Sequence, residues 1–414
     1  MKTAPLSYRQ SKNHVTSGTH RSRSPAETMD AYSRFMGTLG ITRLANITGL
    51  DRVGIPVYLG IRPNSRSVAT SQGKGIDKDH ARTSALMESI ENWHAEHIEL
   101  PARLESFWKL SEKHAVADIF EIPLRAGATL RPDVPAVWVE GYDLLNDRMI
   151  WVPYECATMN TVITFSLTLT FYTSSNGLAS GNHILEAINH ALFEMIERDS
   201  HAEWLDRPVE QRLATKVDPE TVTDAECRLI LERFQAAGLD VAIWDMTSDR
   251  LGIPVYSVQI LDRDEALAWR RIGVGPGRGC HLSPAVALSR ALCEAAQARL
   301  TIISGSRDDN LLIGYRESGS ELHHAVWKSQ YFDPPAIAAF NAQSDHATDS
   351  FEGDLQRILQ ALRSRGVTQA AVVNLTRPDI GIPVVKAVVP KLGLATEYGG
   401  RAPAPASRNW KGRR

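Results

Sequence analysis

The sequence predicts an α+β fold made of repeated strand–loop–helix units gathered around one polar centre. Three observations predict it. The tetrapeptide GIPV occurs at Gly54–Val57, Gly252–Val255 and Gly381–Val384, each time entering an apolar run (VYLGI, VYSVQI, VVKAVVP). Glycine-containing turns open onto long apolar-periodic stretches, again three times. Acids recur at matching places beside those apolar stripes.

The runs after GIPV alternate in the manner of half-buried strands, and a glycine and proline at the entry suit a turn and a first position that needs no ladder N–H. The helical stretches GKGIDKDHARTSALMESIEN and ASGNHILEAINHALFEMIER match without a gap at an offset of 106 residues. Gly75 falls on Gly181, Ala81 on Ala187, Ala85 on Ala191, Glu88 on Glu194 and Glu91 on Glu197. In the third stretch, GRGCHLSPAVALSRALCEAAQAR, Ala287, Ala291 and Leu292 keep the apolar positions, Glu294 the first acid and Gln297 the second. Each helix is expected to pack its Ala/Leu face against a sheet, and small residues at 81, 85, 187, 191, 287 and 291 would let the helices approach closely. The period is too long for a solenoid, so duplicated units of one α+β body are expected. Phe351–Gly366 reads as an amphipathic helix, AAVVNL and GIPVVKAVVP as closing strands, and His323–Ser350 as a proline-punctuated connection.

Composition excludes several classes. With 414 residues, 43% hydrophobic and 23% charged, the chain reads as an ordinary globular protein, and a formal charge of −2 gives no reason to expect nucleic acid or an anionic membrane as partner. No apolar run reaches transmembrane length, and the basic N-terminus lacks the apolar core of a secretory signal. Four cysteines without C-x-x-C spacing argue against a disulfide scaffold or structural zinc, leaving Cys280 as a small buried residue. The expected compartment is the cytosol.

The chemistry lies in the acids. Residues three and four apart share a helix face, so 84, 88 and 91, then 190, 194 and 197, then 290, 294 and 297 form three polar faces, with Glu186 on the second. If these converge, several carboxylates meet in one cavity, where they need cations. Oxygen-only ligands suit magnesium, which also binds substrate phosphate. Lys74 in the first glycine turn, Arg198 and Arg290 are the basic partners for such a phosphate. No Walker A spacing occurs. His94, Glu96 and His97 at the end of the first helix read as solvated surface.

The order GKG…E-x-x-E, then GN…E-x₇-E-x-x-E-R, then R-x-x-x-E-x-x-Q resembles the YcaO superfamily, from about Gly18 to Arg299 with a tail to Gly400. The stretches GTHRSRSPAET, GITR and DRVGIPV resemble the subgroup that works with TfuA proteins. The resemblance implies a YcaO-type fold around a central ATP site: a segment 1–30 contributing to the nucleotide site, a YcaO domain over 31–400 and a basic tail over 401–414. It implies that Glu88, Glu91, Glu186, Glu194 and Glu197 hold Mg2+, with Asn182 at magnesium or phosphate. Arg198, Arg290 and Glu294 contact ATP and act in catalysis, with Lys74 beside them; Arg21 and Thr28 fit the spacing of an N-terminal nucleotide-contacting pair. The implied reaction phosphorylates a backbone amide oxygen of a peptide or protein substrate. Sulfide from a TfuA-like partner then gives a thioamide, whereas a neighbouring Cys, Ser or Thr gives an azoline. The C-terminal RAPAPASRNWKGRR interrupts the proline-rich ending common in azoline-forming members, which favours the thioamide. A non-catalytic accessory role in methylthiolation of a ribosomal protein is the alternative outside catalysis. A homodimer is compatible with this reading.

Overall fold

The computed structural model describes residues 11–16, 18–162, 170–263, 272–307, 319–340 and 345–393; the C-terminal tail read above lies outside them. Near the N-terminus β1 (His14–Val15) and β2 (His20–Arg21) pair, followed by helix α1 (Pro25–Tyr32). A three-stranded antiparallel sheet then forms from β3 (Arg43–Asn46), β4 (Val57–Ile61) and β5 (Thr70–Lys74), leading into α2 (Lys78–Glu96). Further on come β6 (Ala102–Glu105), β7 (Ala136–Asp143), β8 (Arg148–Pro153) and β9 (Leu178–Ser180), and then α3 (Ile184–Leu205). A second sheet holds β10 (Lys216–Val217), β11 (Leu239–Asp245), β12 (Val255–Asp262) and β13 (Gly275–Cys280), with α4 (Ala225–Ala236) before β11 and α5 (Pro284–Ser304) after β13. Helix α6 (Phe351–Ser364) and strands β14 (Ala371–Asn374) and β15 (Val384–Val388) close the described chain; both strands join the sheet of β6–β9.

The three GIPV segments are built alike. Gly54, Gly252 and Gly381 all have φ between 63° and 74°, the left-handed region that only glycine enters freely. The isoleucine after each is buried, and the valine after the proline starts β4, β12 or β15. Upstream of each stands a matching polar clamp. The N–H of Thr48, Thr247 and Thr376 donates to the side chain two residues earlier (Asn46, Asp245, Asn374), and each threonine hydroxyl accepts the N–H of that valine at 3.1–3.2 Å.

Each valine also pairs with the last residue of a third strand: Val57 with Lys74, Val255 with Cys280, Val384 with Ser180. The first two units therefore run in chain order, β3–β4–β5–α2 and β11–β12–β13–α5. The third is split, for its hairpin β14–β15 comes last in the chain while its strand and helix, β9 and α3, come in the middle. Local reading matches the copies but not this exchange, because only the long-range β15–β9 pairing reveals it.

Each helix packs its Ala/Leu face against a sheet, as expected, and the small residues bring it close. A Cβ added at Gly73 would stand 2.0 Å from the Ala85 N and 2.2 Å from the Ala81 O, and one at Gly277 2.1 Å from the Ala291 O. These obstacles are backbone and cannot step aside. Gly73→Ala is therefore expected to destabilise the protein by about 3 kcal/mol, whereas Gly37→Ala, with nothing within 4 Å, is near neutral. Equal urea midpoints for the two variants would show that the helix does not seat on the strand in this way.

Two expectations need correction. His94 and Glu96 are fully buried rather than solvated: Arg62 and Ser67 donate to the Glu96 carboxylate, and His94 Nδ1 lies 2.8 Å from the Ile90 carbonyl. The connection read from His323 begins inside a helix, Glu321–Trp327.

Candidate functional site

A cavity of about 1140 Å³, open to solvent, lies where the N-terminal segment meets α2, α3 and α5. Arg21, Thr28, Lys74, Glu88, Glu91, Asn182, Glu186 and Arg290 all line it. Its residues come from chain positions hundreds apart, and each arrives for a local reason. Lys74 ends β5; Asn182 follows β9 in the turn capped by His183; Arg290 stands in the second turn of α5.

The N-terminal segment is tied to α3. Arg21 donates to the Glu186 carboxylate at 3.0 Å, and the Ser22 N–H and hydroxyl donate to its other oxygen at 3.2 and 2.9 Å. Asn182 Nδ2 donates to the Thr28 hydroxyl at 3.0 Å. Further out, Lys12 pairs with Asp354 of α6 at 2.5 Å, both side chains buried. His14 and His80 face each other at the cavity, their Nε2 atoms 3.5 Å apart.

The acids do not stand free. Glu91 accepts from the Ser180 N–H at 2.8 Å and its hydroxyl at 2.7 Å, while Glu88 accepts from the Gln72 N–H at 3.1 Å. The corresponding acids repeat the second contact: Glu194 accepts from the Gly177 N–H at 3.0 Å and Glu294 from the Arg278 N–H at 3.3 Å. Glu294 also receives Lys74 at 2.5 Å, and Arg198 lies 3.4 Å from Glu194.

Charge crowding is written in the proton affinities. Burial, assisted by Glu88 and Glu194 against the Ser180 hydrogen bonds, pushes Glu91 up to about 8. Glu88 is raised by burial as well. Burial and then Glu294 raise Glu197 to about 7. Glu294 goes the other way: burial opposes it, but Lys74, Arg198 and Arg278 outweigh burial and hold it down at about 2. Arg290 is lowered by burial and by Arg21, and its buried Nε finds no hydrogen-bond partner among the described residues.

The predicted set is therefore brought together in two groups. Glu194, Glu197, Arg198 and Glu294 do not line the cavity. Its walls take residues 182–190 and 289–293 at the starts of α3 and α5; the next acid, Glu194, is four residues or about 6 Å further along α3, whereas Glu294 directly follows Cys293 on α5. Helix α2 instead runs along the cavity from His80 to Glu91. Lys74 joins the groups, lining the cavity while holding Glu294. Position 190 was placed on the polar face by the sequence, whereas Ser22, His80 and Ser180 were missed. Ser180 had a signal, since it aligns with Lys74 directly before the glycine of its unit, whereas Ser22 had none.

Do these residues fit Mg2+? The donors are carboxylate oxygens, of which Glu91 and Glu197 are raised by burial and then by neighbouring acids, and a divalent cation offsets both. Among the described residues no three His, Cys, Asp or Glu already form an ion cage. That is consistent with magnesium, which takes one or two carboxylates and completes its shell with water and phosphate.

Fold and cavity define an α+β class in which three related units meet at a polar cavity. The chain belongs to the YcaO family: the family model described as YcaO cyclodehydratase, ATP- and Mg2+-binding, matches residues 72–393. An uncharacterized protein of Methanothermobacter thermautotrophicus is 34% identical over 89% of this chain and 94% of its own. Another, from Rhizobium leguminosarum bv. trifolii and described as lying in the tfuA 3' region, is 32% identical over 92% and 90%. Among solved structures, the YcaO from Methanopyrus kandleri bound with AMPPCP and Mg2+ superposes with a TM-score of 0.69 at 23% identity, over 92% of this chain and 94% of that one. A heterocyclase in complex with substrate and cofactor gives 0.75 at 20% identity; 93% of this chain matches 54% of that longer one. Family membership brings ATP and Mg2+ as cofactors and ATP-dependent peptide modification as the coarse activity. No helix among the described residues is long and apolar enough to cross a membrane.

Proposed function

We propose that this protein uses ATP to phosphorylate the oxygen of a peptide backbone amide so that sulfur can replace it, giving a thioamide, with a TfuA-type partner delivering the sulfur. The observation that carries the ATP site is Arg290: a half-buried guanidinium at the cavity wall, its Nε unpartnered among the described residues, facing Arg21 and Lys74 in one cavity. A buried guanidinium donor without an acceptor, in a cavity that also holds the cations Arg21 and Lys74, calls for a polyanion. Thioamide formation is supported by the tfuA-region relative, which this chain matches over nearly its whole length.

In this reading Arg21, Lys74 and Arg290 bind the phosphates, and Thr28 and Asn182 position them. Glu88, Glu91 and Glu186 hold Mg2+ on the cavity side; Glu194, Glu197 and Glu294 form the second group, steered by Arg198. When bound, Mg2+ neutralises the phosphate oxygens. The chain's own work is placement: the acceptor oxygen must sit in line with the γ-phosphoryl group, and charge must be balanced as the amide oxygen becomes anionic.

The nucleophile separates the readings. With ATP, Mg2+, sulfide, a TfuA-type protein and a candidate substrate peptide, the product is expected to exchange one oxygen for sulfur, read by mass spectrometry. Loss of water from the peptide without any sulfur donor would instead establish azoline formation. A modified peptide of either kind rules out a purely accessory role.

A further inference from the structure

A second cavity lies at the far end of β9. It is lined by Cys156, Tyr172, Asn176, Met195 and, on β15, Lys386. The Lys386 side chain is buried, and its ammonium donates to the Ser174 carbonyl. An ammonium carries three donors. Two are therefore unpartnered among the described residues, in a pocket whose other walls are largely apolar.

Position matters as much as chemistry. Strand β9 has three residues, about 10 Å of extended chain. Glu91 grips its Ser180 end, beside the nucleotide cavity; Glu194 grips Gly177 just before its other end, beside the lysine pocket. The two cavities thus flank one short strand held by acids of the site. Glu194, which grips the strand from the site side, also acts electrostatically on Lys386, so the lysine pocket adjoins the acids of the site.

We propose that the Lys386 pocket is a subsite for a sulfur monoanion, hydrosulfide in the simplest case, that attacks the amide carbon. This inference rests on the thioamide reading. The pocket suits such an ion: one buried cation matches a single negative charge, and the polarizable sulfurs of Cys156 and Met195 line the wall. Burial brings Lys386 down only to about 8, with Glu194 and Cys156 opposing the fall, so it is still a cation at neutral pH. Cys156 itself, pushed up to about 12 by burial and Glu155, is a thiol and not the nucleophile. The step balances. Hydrosulfide sulfur bonds to the amide carbon as the C=O π pair moves onto oxygen, and that oxygen takes the γ-phosphoryl group of ATP, releasing ADP. The C–O bond then breaks, phosphate leaves, and the S–H proton passes to solvent as C=S forms.

The test is binding, on the full chain with Mg2+ and AMPPCP filling the nucleotide cavity so that its cations are occupied. Sodium thiocyanate, an unreactive sulfur monoanion, and sodium hydrosulfide are titrated by calorimetry into the native protein, Lys386→Met and Lys386→Gln. Both anions are expected to bind the native protein. Loss of one charge-assisted contact weakens them about tenfold or more in the variants, while AMPPCP affinity is unchanged. Equal anion affinity in either folded variant overturns the subsite. A dehydrated peptide product would overturn the thioamide reading instead, and calorimetry alone would then judge the anion site.

Discussion

Arg290→Ala loses ATP turnover by about a thousandfold or more, the scale of removing a preorganised charge from a developing anion, and keeps its fold. Both halves follow from the surroundings of the side chain. Its Nε is buried with no partner among the described residues, and burial with Arg21 nearby makes its charge costly in the free protein. Removing it relieves that cost, so the urea midpoint should hold or rise. The lost function is phosphate recognition, since Lys74 is already engaged by Glu294 and Arg21 by Glu186. Calorimetry with AMPPCP and Mg2+ should show binding to the native protein, little without metal, and little to the variant in either case. A variant that unfolds would mark Arg290 as a structural ion-pair partner; one that binds AMPPCP normally would remove it from the nucleotide site.

The sequence made the units legible and their assembly only partly so. Glu88, Glu194 and Glu294 were aligned by pattern alone, and all three accept a backbone N–H at the strand preceding their helix. The pattern also held a signal that went unread: Asn46-Ile-Thr48, Asp245-Met-Thr247 and Asn374-Leu-Thr376 precede the three GIPV turns and clamp them. Convergence of the polar faces was right for α2 and incomplete for α3 and α5. A helix face says which residues point one way, not how far along its length a cavity extends. Lys386 was invisible for a related reason. It sits in VVKAVV as one polar residue in a buried strand, and only distant residues such as Cys156, Ser174 and Met195 in the middle of α3 make its pocket. The helix-end residues were misread because Glu96 is held by Arg62 and Ser67, which are not its neighbours in sequence, and because His94 turns back onto the Ile90 carbonyl of its own helix.

The second large effect is a stability that falls with pH until metal and nucleotide restore it. Glu91 stands at about 8 in the fold, raised by burial, against an ordinary glutamate near 4.5. A raised acid favours its protonated form, so its contribution is complete below 4.5 and is lost as pH climbs through 8. Glu197, at about 7, adds to the loss over the lower part of that range. Glu294, held at about 2 by Lys74 and the arginines against burial, is ionised throughout and contributes no slope. The buried histidines His94, His190, His201 and His281 are lowered by burial and blur the profile only below the ordinary imidazole value, so the clean window is about pH 6.5 to 8. Across it the protein without ligands should lose stability at up to about 1.4 kcal/mol per pH unit from Glu91, seen as a falling Tm. With Mg2+ and AMPPCP bound, the carboxylates face a cation, and the Tm should be nearly level. Glu91→Gln, which cannot ionise, should flatten the profile of the free protein and weaken the gain from Mg2+. A free-protein Tm that is flat or rising from pH 6.5 to 8 would mean that the acids are already neutralised by Lys74 and Arg198, leaving magnesium no crowded charge to relieve.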